Sequence, residues 1–574
     1  MSLERPRFCP NCGHPVIDPV LTSYCSNCGK PLLNMPIPYS HSFGYPWKKV
    51  VYFERCLSKS YWLWRRNQAL VVPTLLSGSI AVLSQSIFII FGIVLLVDLE
   101  NNGTLSQMVA FVTKAAYSSA LSIFFSRAVF YPFLILIGSA VIITVVVSIL
   151  ANGFVLSAEY VSYRKALEGR RVSVGEAIYS VKNKWMAMAW TSVLSILITY
   201  SPIGLAWISV AYSLYSSSGN PLALFGSLVF LLIGGVLSLL MSFFVMYSTI
   251  SVAIEDVSGF AAIRKSFQRS SSYFGTSLTY AVVRIVSIAA IFGIGIFGQF
   301  IGVPLTSLAS IALTVVLVPV LHLAKTAIYR EMTIPSPMEY KTYGETSVIF
   351  DLFRGPYAKY IISILGKGLR TLGRFVFGTR NLIYHFCSAL AFLVGVYVGS
   401  YVAIHGLASV IFTLGYQPGQ INPTILKAVP LSEGFDIFFH NWQVSLSTAL
   451  SGIWFVAPSL VTLGFNGVIL GVVYHLTPTP TMFVAAIFPH GIIELPAFII
   501  AGSTGMKLGV AFLRTRKSKT DTVAGEIVDS ARERFYVVAR ETIYVLVGLA
   551  ILFLIAGFIE GNITPMIMRA AGWH

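Results

Sequence analysis

Eleven apolar stretches run through this chain, at residues 69–97, 133–156, 188–210, 225–252, 278–297, 303–323, 384–404, 444–456, 460–474, 483–512 and 537–558. A helix needs about 20 consecutive apolar residues to cross the hydrocarbon core of a bilayer. Most of these stretches reach that length. The two at 444–456 and 460–474 are shorter, and predict either a re-entrant pair or one broken helix. Charge points the same way. Only 11% of the 574 residues are Asp, Glu, Lys or Arg, against roughly 25% in soluble domains, too little to coat a water-facing surface. The expected fold class is all-α, a polytopic transmembrane helical protein of about 11 spans. The first apolar stretch begins near residue 69, so no cleaved signal peptide is expected.

The net charge of +17 has a plain reading in such a protein: basic residues mark the cytoplasmic side, and no nucleic-acid partner is expected. With the N-terminus inside, 34 of the 40 Lys and Arg residues fall on inner segments, while the outer ones hold only Lys114, Arg127, Lys427 and Arg569. That asymmetry predicts a multi-pass protein of the cell membrane, N-terminus cytoplasmic and C-terminus outside. Asn102 opens an Asn-Gly-Thr sequon on the expected outer face, a candidate glycosylation site.

Residues 9–28 read CPNCGHPVIDPVLTSYCSNC. Cys9 with Cys12 and Cys25 with Cys28 form two CxxC knuckles, each presenting two thiolates to one tetrahedral Zn²⁺. Gly13 and Gly29 follow where the chain must turn. The alternative is a set of free cytosolic thiols. Four thiolates close the coordination shell, so one structural zinc is expected and not a catalytic one. The segment resembles the short zinc ribbons at the ends of many archaeal and bacterial membrane proteins, which implies a docking module for an unidentified protein partner.

Four regions follow: a zinc ribbon at 1–35, a six-span membrane domain at 36–328, a linker with a basic amphipathic segment at 329–380, and a second membrane domain of about five spans at 381–574. The linker proper, Tyr329–Val348, is polar and holds two prolines, Pro335 and Pro337. The amphipathic segment, 352–375, predicts a helix lying on an anionic inner surface, with membrane lipids as partners. In the six-span half, VSVGEAIYSVKNKW and GFAAIRKSFQRSSSYF both space their apolar residues helically and both follow a long span ending in an acid, Glu159 or Glu255. They predict in-plane helices and an internal pseudo-repeat. Residues 60–330 loosely resemble the membrane domain attached to some glycerophosphoryl diester phosphodiesterases. No phosphodiesterase carboxylate set accompanies it.

The second half holds FFHNWQVSLSTALSG, GFNGVILG, PHGIIELPAFIIAG and LIAGFIEGNITP. Together these resemble the stage II sporulation protein M family of bacteria and archaea, through Asn441, Asn466, Gly467, Gly471, Pro489, His490, Gly491, Glu494, Ala497, Gly505, Glu560 and Pro565. The resemblance covers roughly 375–565. It implies a non-enzymatic membrane scaffold or assembly protein, since sporulating members anchor cell-wall-degrading partners.

His490 and Glu494, at i and i+4, share one helix face, and Pro489 suits a first helical turn. A break at Phe488–Pro489 is therefore expected, with a new helix starting at His490. An ionised side chain at the bilayer centre costs about 2.5–3.5 kcal/mol on insertion scales, so Glu494 needs an interior partner. His490, Asn466, His475 and Arg284 are the candidates. The polar cluster expected is Asn441, Asn466, His490, Glu494 and Glu560. It reads as a structural pin, as a proton- or ion-linked transport site, or as a hydrolase centre. The last is disfavoured because HGIIE is not HExxH and no GxSxG elbow or phosphate loop accompanies it.

Overall fold

The structure, a computed structural model, describes residues 51–104, 107, 127–179, 184–216, 221–301, 305–334, 357–404, 431–515, 521–523, 526–528 and 530–573. Cys9, Cys12, Cys25 and Cys28 lie outside the described residues, as does most of the linker. The described residues belong to one compact unit, Val50–His574.

An amphipathic helix, α1 (Phe53–Arg66), leads into α2 (Val72–Asn101). Then come α3 (Arg127–Leu167), the short α4 (Val174–Tyr179), α5 (Trp185–Ser216), α6 (Pro221–Val245) and α7 (Ser248–Ile254). Next are α8 (Gly259–Ser272), α9 (Phe274–Phe300), α10 (Leu305–Ile311) and α11 (Val318–Thr333). The second half comprises α12 (Tyr357–Val376), α13 (Leu382–Val402), α14 (Leu431–Ser451), α15 (Ala457–Leu476), α16 (Pro480–Thr515), α17 (Ser530–Phe558) and α18 (Thr564–Ala570). A two-stranded antiparallel hairpin, β1 (Asp521–Val523) and β2 (Glu526–Val528), separates α16 from α17. Two π-helical turns, Ala312–Leu317 and Ile559–Ile563, join α10 to α11 and α17 to α18.

Among the described residues, ten helical stretches are long and apolar enough to cross a membrane, one fewer than the sequence predicts. The difference lies in α14. Of the apolar stretch 444–456, residues 444–451 form the last part of α14 and the rest lies in the turn beyond it, while the preceding part carries Glu433, Asp436, His440 and Asn441 in sequence. At 21 residues α14 has the length of a crossing without the uniform apolarity. The stretch 460–474 belongs to a separate 20-residue helix, α15. Between them the chain turns through Phe455 and Val456, both in the left-handed region at φ 67° and 71°, a strained backbone for bulky residues.

A second expectation fails at Pro489. No break occurs there: α16 runs unbroken for 36 residues with Pro489 and Pro496 inside it. Each proline removes one backbone N–H, but a membrane helix tolerates this where neighbouring helices enclose it. The first in-plane helix is α4, described over Val174–Tyr179, with Gly175, Ala177 and Ile178 buried, and a Cβ on Gly175 would meet the Tyr536 backbone at 2.6 Å. α8 is its amphipathic counterpart, burying Ala262 and Ile263.

The two halves share one core. Its largest cluster contains Leu76, Val155, Tyr163, Tyr247 and Ile328 of the first half with Trp454, Leu508 and Phe535 of the second. Trp454 Nε1 donates to Ser79 Oγ at 2.8 Å, and the Phe154 ring meets Trp454 and Phe512 edge-on at 5.2 and 6.0 Å. Within the second half α13 and α15 approach through glycines. A Cβ on Gly399 would lie 2.1 Å from the Val468 carbonyl oxygen, and one on Gly471 would lie 2.2 Å from that of Val396. Small residues replace hydrophobic driving force where lipid, not water, is the competing solvent.

Candidate functional site

Three elements converge on the polar cluster. α16 supplies His490 and Glu494 one turn apart. α14 supplies Asn441 from its middle, and the π-turn between α17 and α18 supplies Glu560. Close glycine contacts set this geometry. A Cβ on Gly557 would lie 2.7 Å from the Gly434 carbonyl oxygen, and one on Gly452 would lie 1.9 Å from that of Gly505. α14 therefore lies directly against both α16 and α17. The Phe435 and Phe558 rings close one side edge-on at 5.0 Å. A π-turn inserts one extra residue into the helical ladder, and such turns recur at functional sites. Here it places Glu560 on the side facing α16.

Asn441 Nδ2 donates to Glu494 Oε1 at 3.0 Å. His490 Nδ1 and Thr564 Oγ1 share a hydrogen bond of 3.2 Å. One ligand atom each from His490, Glu494 and Glu560 lies within 4.8 Å of the others. Glu494 Oε2 and Glu560 Oε2 are both buried without a hydrogen-bond partner. An imidazole facing two carboxylates can hold a shared proton or a small cation. The set is chemically suited to a borderline metal such as zinc. Ligands about 2.0–2.2 Å from one zinc are at most about 4.4 Å apart, so the group would draw in slightly around such an ion.

Of the residues expected in this cluster, Asn441, His490, Glu494 and Glu560 come together. Asn466 points back along its own helix, donating from Nδ2 to Thr462 O at 2.9 Å. His475 packs edge-on against Tyr474 at the end of α15. Arg284 belongs to the other half, where it acts electrostatically on Tyr280 and Lys325. Asn102 is exposed at the end of α2.

The sequence reading missed a second buried polar group, at the ends of the repeated spans. Glu159 of α3, 4% exposed, meets His322 Nδ1 of α11 at 2.6 Å. One turn on, Lys325 is 7% exposed. Two turns beyond His322, the Tyr329 hydroxyl donates to Glu255, which also pairs with Lys265 at 3.1 Å. The two acids that close the repeated spans thus dock on one face of α11. The signal was present as His322, Lys325 and Tyr329 at i, i+3 and i+7, at and just beyond the end of the sixth apolar stretch.

The profile of the family described as Stage II sporulation protein M matches residues 388–565. That interval contains the four residues that come together and Asn466. An uncharacterized protein of Methanocaldococcus jannaschii is 30% identical over 157 residues, which cover 27% of this chain and 68% of the relative. No solved structure matches the chain. A multi-pass helical architecture and a matched interval that encloses the cluster agree with one another: through its C-terminal membrane domain, the chain belongs to the stage II sporulation protein M family.

Proposed function

We propose that the protein is a non-enzymatic membrane scaffold of the stage II sporulation protein M type. It would recruit protein partners through a zinc-loaded Cys9–Cys12–Cys25–Cys28 ribbon. The observation that carries this reading is the continuous core between the halves, where Trp454, Leu508 and Phe535 pack among residues of α2, α3 and α11. A transporter that alternates access needs one bundle to rock against another; an extensive apolar seam suits a platform that stays rigid. In the proposed topology the N-terminus is cytoplasmic, α14 is an eleventh crossing enclosed by protein, and the C-terminus is outside. Counting α14 keeps the Arg- and Lys-rich segment after α16 on the same side as the other basic loops. The test is a cross-linked pull-down from native membranes. Partners captured by the full chain should be lost when Cys9 and Cys12 are changed to Ser. Identical captures from both proteins would refute recruitment through the ribbon.

The carboxylate cluster favours a second reading, a proton- or cation-linked site at Glu494. Two buried carboxylate oxygens without partners face a region where repulsion is poorly screened. Intramembrane ionisable groups more often serve a pathway than packing. Under this reading, purified protein in liposomes shows proton- or cation-dependent flux that Glu494→Gln abolishes. Absence of flux with intact protein would rule it out.

A further inference from the structure

At the end of the bundle where α16 finishes and α17 begins, α12 lies against α17 and leaves a cavity of about 340 Å³ between them. Lys367, Arg370, Thr371 and Arg374 line it from α12, and Val537, Arg540, Glu541 and Tyr544 from α17. Each set repeats at i, i+3, i+4 and i+7, so each is one continuous helix face. The approach is fixed from below. A Cβ on Gly368 would lie 2.9 Å from the Gly548 nitrogen, and one on Gly548 would lie 2.8 Å from the Gly368 carbonyl oxygen.

The charge of this cavity is one-sided. It gathers four cationic side chains and a single acid, Glu541, which Lys507 already engages at 2.6 Å. Among the described residues none of the four cations is recorded in an ion pair or a side-chain hydrogen bond. Four like charges around one hollow repel each other unless an anion sits among them. Three of the four are Arg, whose planar fork suits the oxygens of a phosphate, and the Tyr544 hydroxyl, which also lines the cavity, adds a neutral donor. Two exposed apolar side chains can receive acyl chains: Val537, which lines the cavity from α17, and Phe377 just beyond the end of α12, while Ile362 and Leu369 form an exposed apolar face on the other side of α12.

We propose that this cavity binds the phosphodiester headgroup of an anionic phospholipid, whose acyl chains lie along the neighbouring apolar side chains. A free phosphate shares the headgroup chemistry without the chains. Basic pockets between membrane helices bind acidic headgroups on the same principle. The site would fasten the amphipathic helix that leads into the stage II sporulation protein M domain, and it is independent of Glu494 and of the cysteines.

Native mass spectrometry of the purified full chain tests this, after incubation with phosphatidylglycerol, phosphatidylcholine or inorganic phosphate. Arg370→Gln combined with Arg540→Gln removes one charge from each wall. A melting curve close to that of the unaltered protein establishes that the variant folds. Should it misfold, the single Lys367→Gln replaces it at a smaller expected effect. We expect one phosphatidylglycerol retained in preference to phosphatidylcholine, with roughly 30-fold weaker retention in the double variant, from two lost lysine- or arginine-type contacts. Saturation by inorganic phosphate that displaces no lipid would overturn the lipid assignment. Equal retention of phosphatidylglycerol by the variant and the unaltered protein would overturn the site itself.

Discussion

Removing the Asn441–Glu494 hydrogen bond is the most direct probe of the polar cluster. The bond is of ordinary length, 3.0 Å, and joins α14 to α16 across 53 residues of sequence. Hydrogen bonds between membrane helices average about 0.6 kcal/mol and reach about 1.7 kcal/mol in double-mutant cycles. Asn441→Ala, Glu494→Ala and the pair together should therefore show a coupling of about 0.6–1.7 kcal/mol, the double change costing less than the sum. Glu494→Gln should behave differently. Its amide keeps an acceptor for Asn441 and places a donor on the side of Glu560, whose Oε2 is unpartnered among the described residues. A small inward shift from the 4.8 Å spacing of the group satisfies that acceptor, and one carboxylate leaves the facing pair. Glu494→Gln is thus expected to match or exceed the unaltered protein in stability, by about 1 kcal/mol. The assay is reversible unfolding in mixed micelles, followed by circular dichroism, for all four variants. Additivity within about 0.3–0.5 kcal/mol, the range for independent sites, would refute the coupling. A clear loss in Glu494→Gln would refute the picture of two carboxylates confronting each other. If Glu494→Gln is stable but fails to complement a deletion strain, the transport reading gains over the scaffold.

Metal analysis of the full chain should give about one zinc, lost when Cys9 and Cys12 are changed to Ser; stoichiometric zinc in that variant would sink the assignment. In a background lacking native cysteines, Cys introduced at Ala570 should react with an impermeant thiol reagent added outside sealed cells, and Cys at Ser518 should not; the reverse pattern, labelling at Ser518 with protection at Ala570, would mean that α14 does not cross. Cys56 on α1 is free. Burial, reinforced by Glu331 and opposed by Lys59, pushes its thiol up to about 12, so a maleimide should leave it unmodified at pH 8, and rapid labelling there would contradict its enclosure. Gly399→Leu should cost more than about 3 kcal/mol, because its Cβ alone would strike the Val468 carbonyl oxygen at 2.1 Å and the backbone cannot yield as a side chain does; a melting temperature unchanged by this substitution would contradict the close α13–α15 contact.

The helical membrane architecture was legible because it follows from composition and segment length alone. Lipid leaves a backbone no alternative to internal hydrogen bonding, so runs such as 225–252 and 278–297 could only be helices. The continuity of α16 was not legible. Pro489 carries a strong local signal for a helix start, and only the enclosing helices decide whether the freed carbonyls one turn earlier can be tolerated. The single compact unit was equally hidden. Nothing in the local pattern of Trp454 or Ser79, 375 residues apart, reveals that they meet.

The site residues divide by the same logic. His490 and Glu494 announce themselves because they are polar in an apolar run and one helical turn apart. Their partners do not. Asn441 and Asn466 look alike in sequence, each an amide in an apolar setting, yet Asn466 is satisfied by the Thr462 carbonyl one turn back while Asn441 reaches across to Glu494. An amide near a helical carbonyl can always fold back on itself, so sequence alone cannot separate the two. α14 shows how function conceals structure. A helix packed against α2, α16 and α17 needs no uniform lipid-facing coat, so it can carry Asp436 and Asn441 at little solvation cost. Those same residues lower its apolarity below that of its neighbours, and the helix that completes the polar cluster is the one that apolarity fails to identify as a crossing.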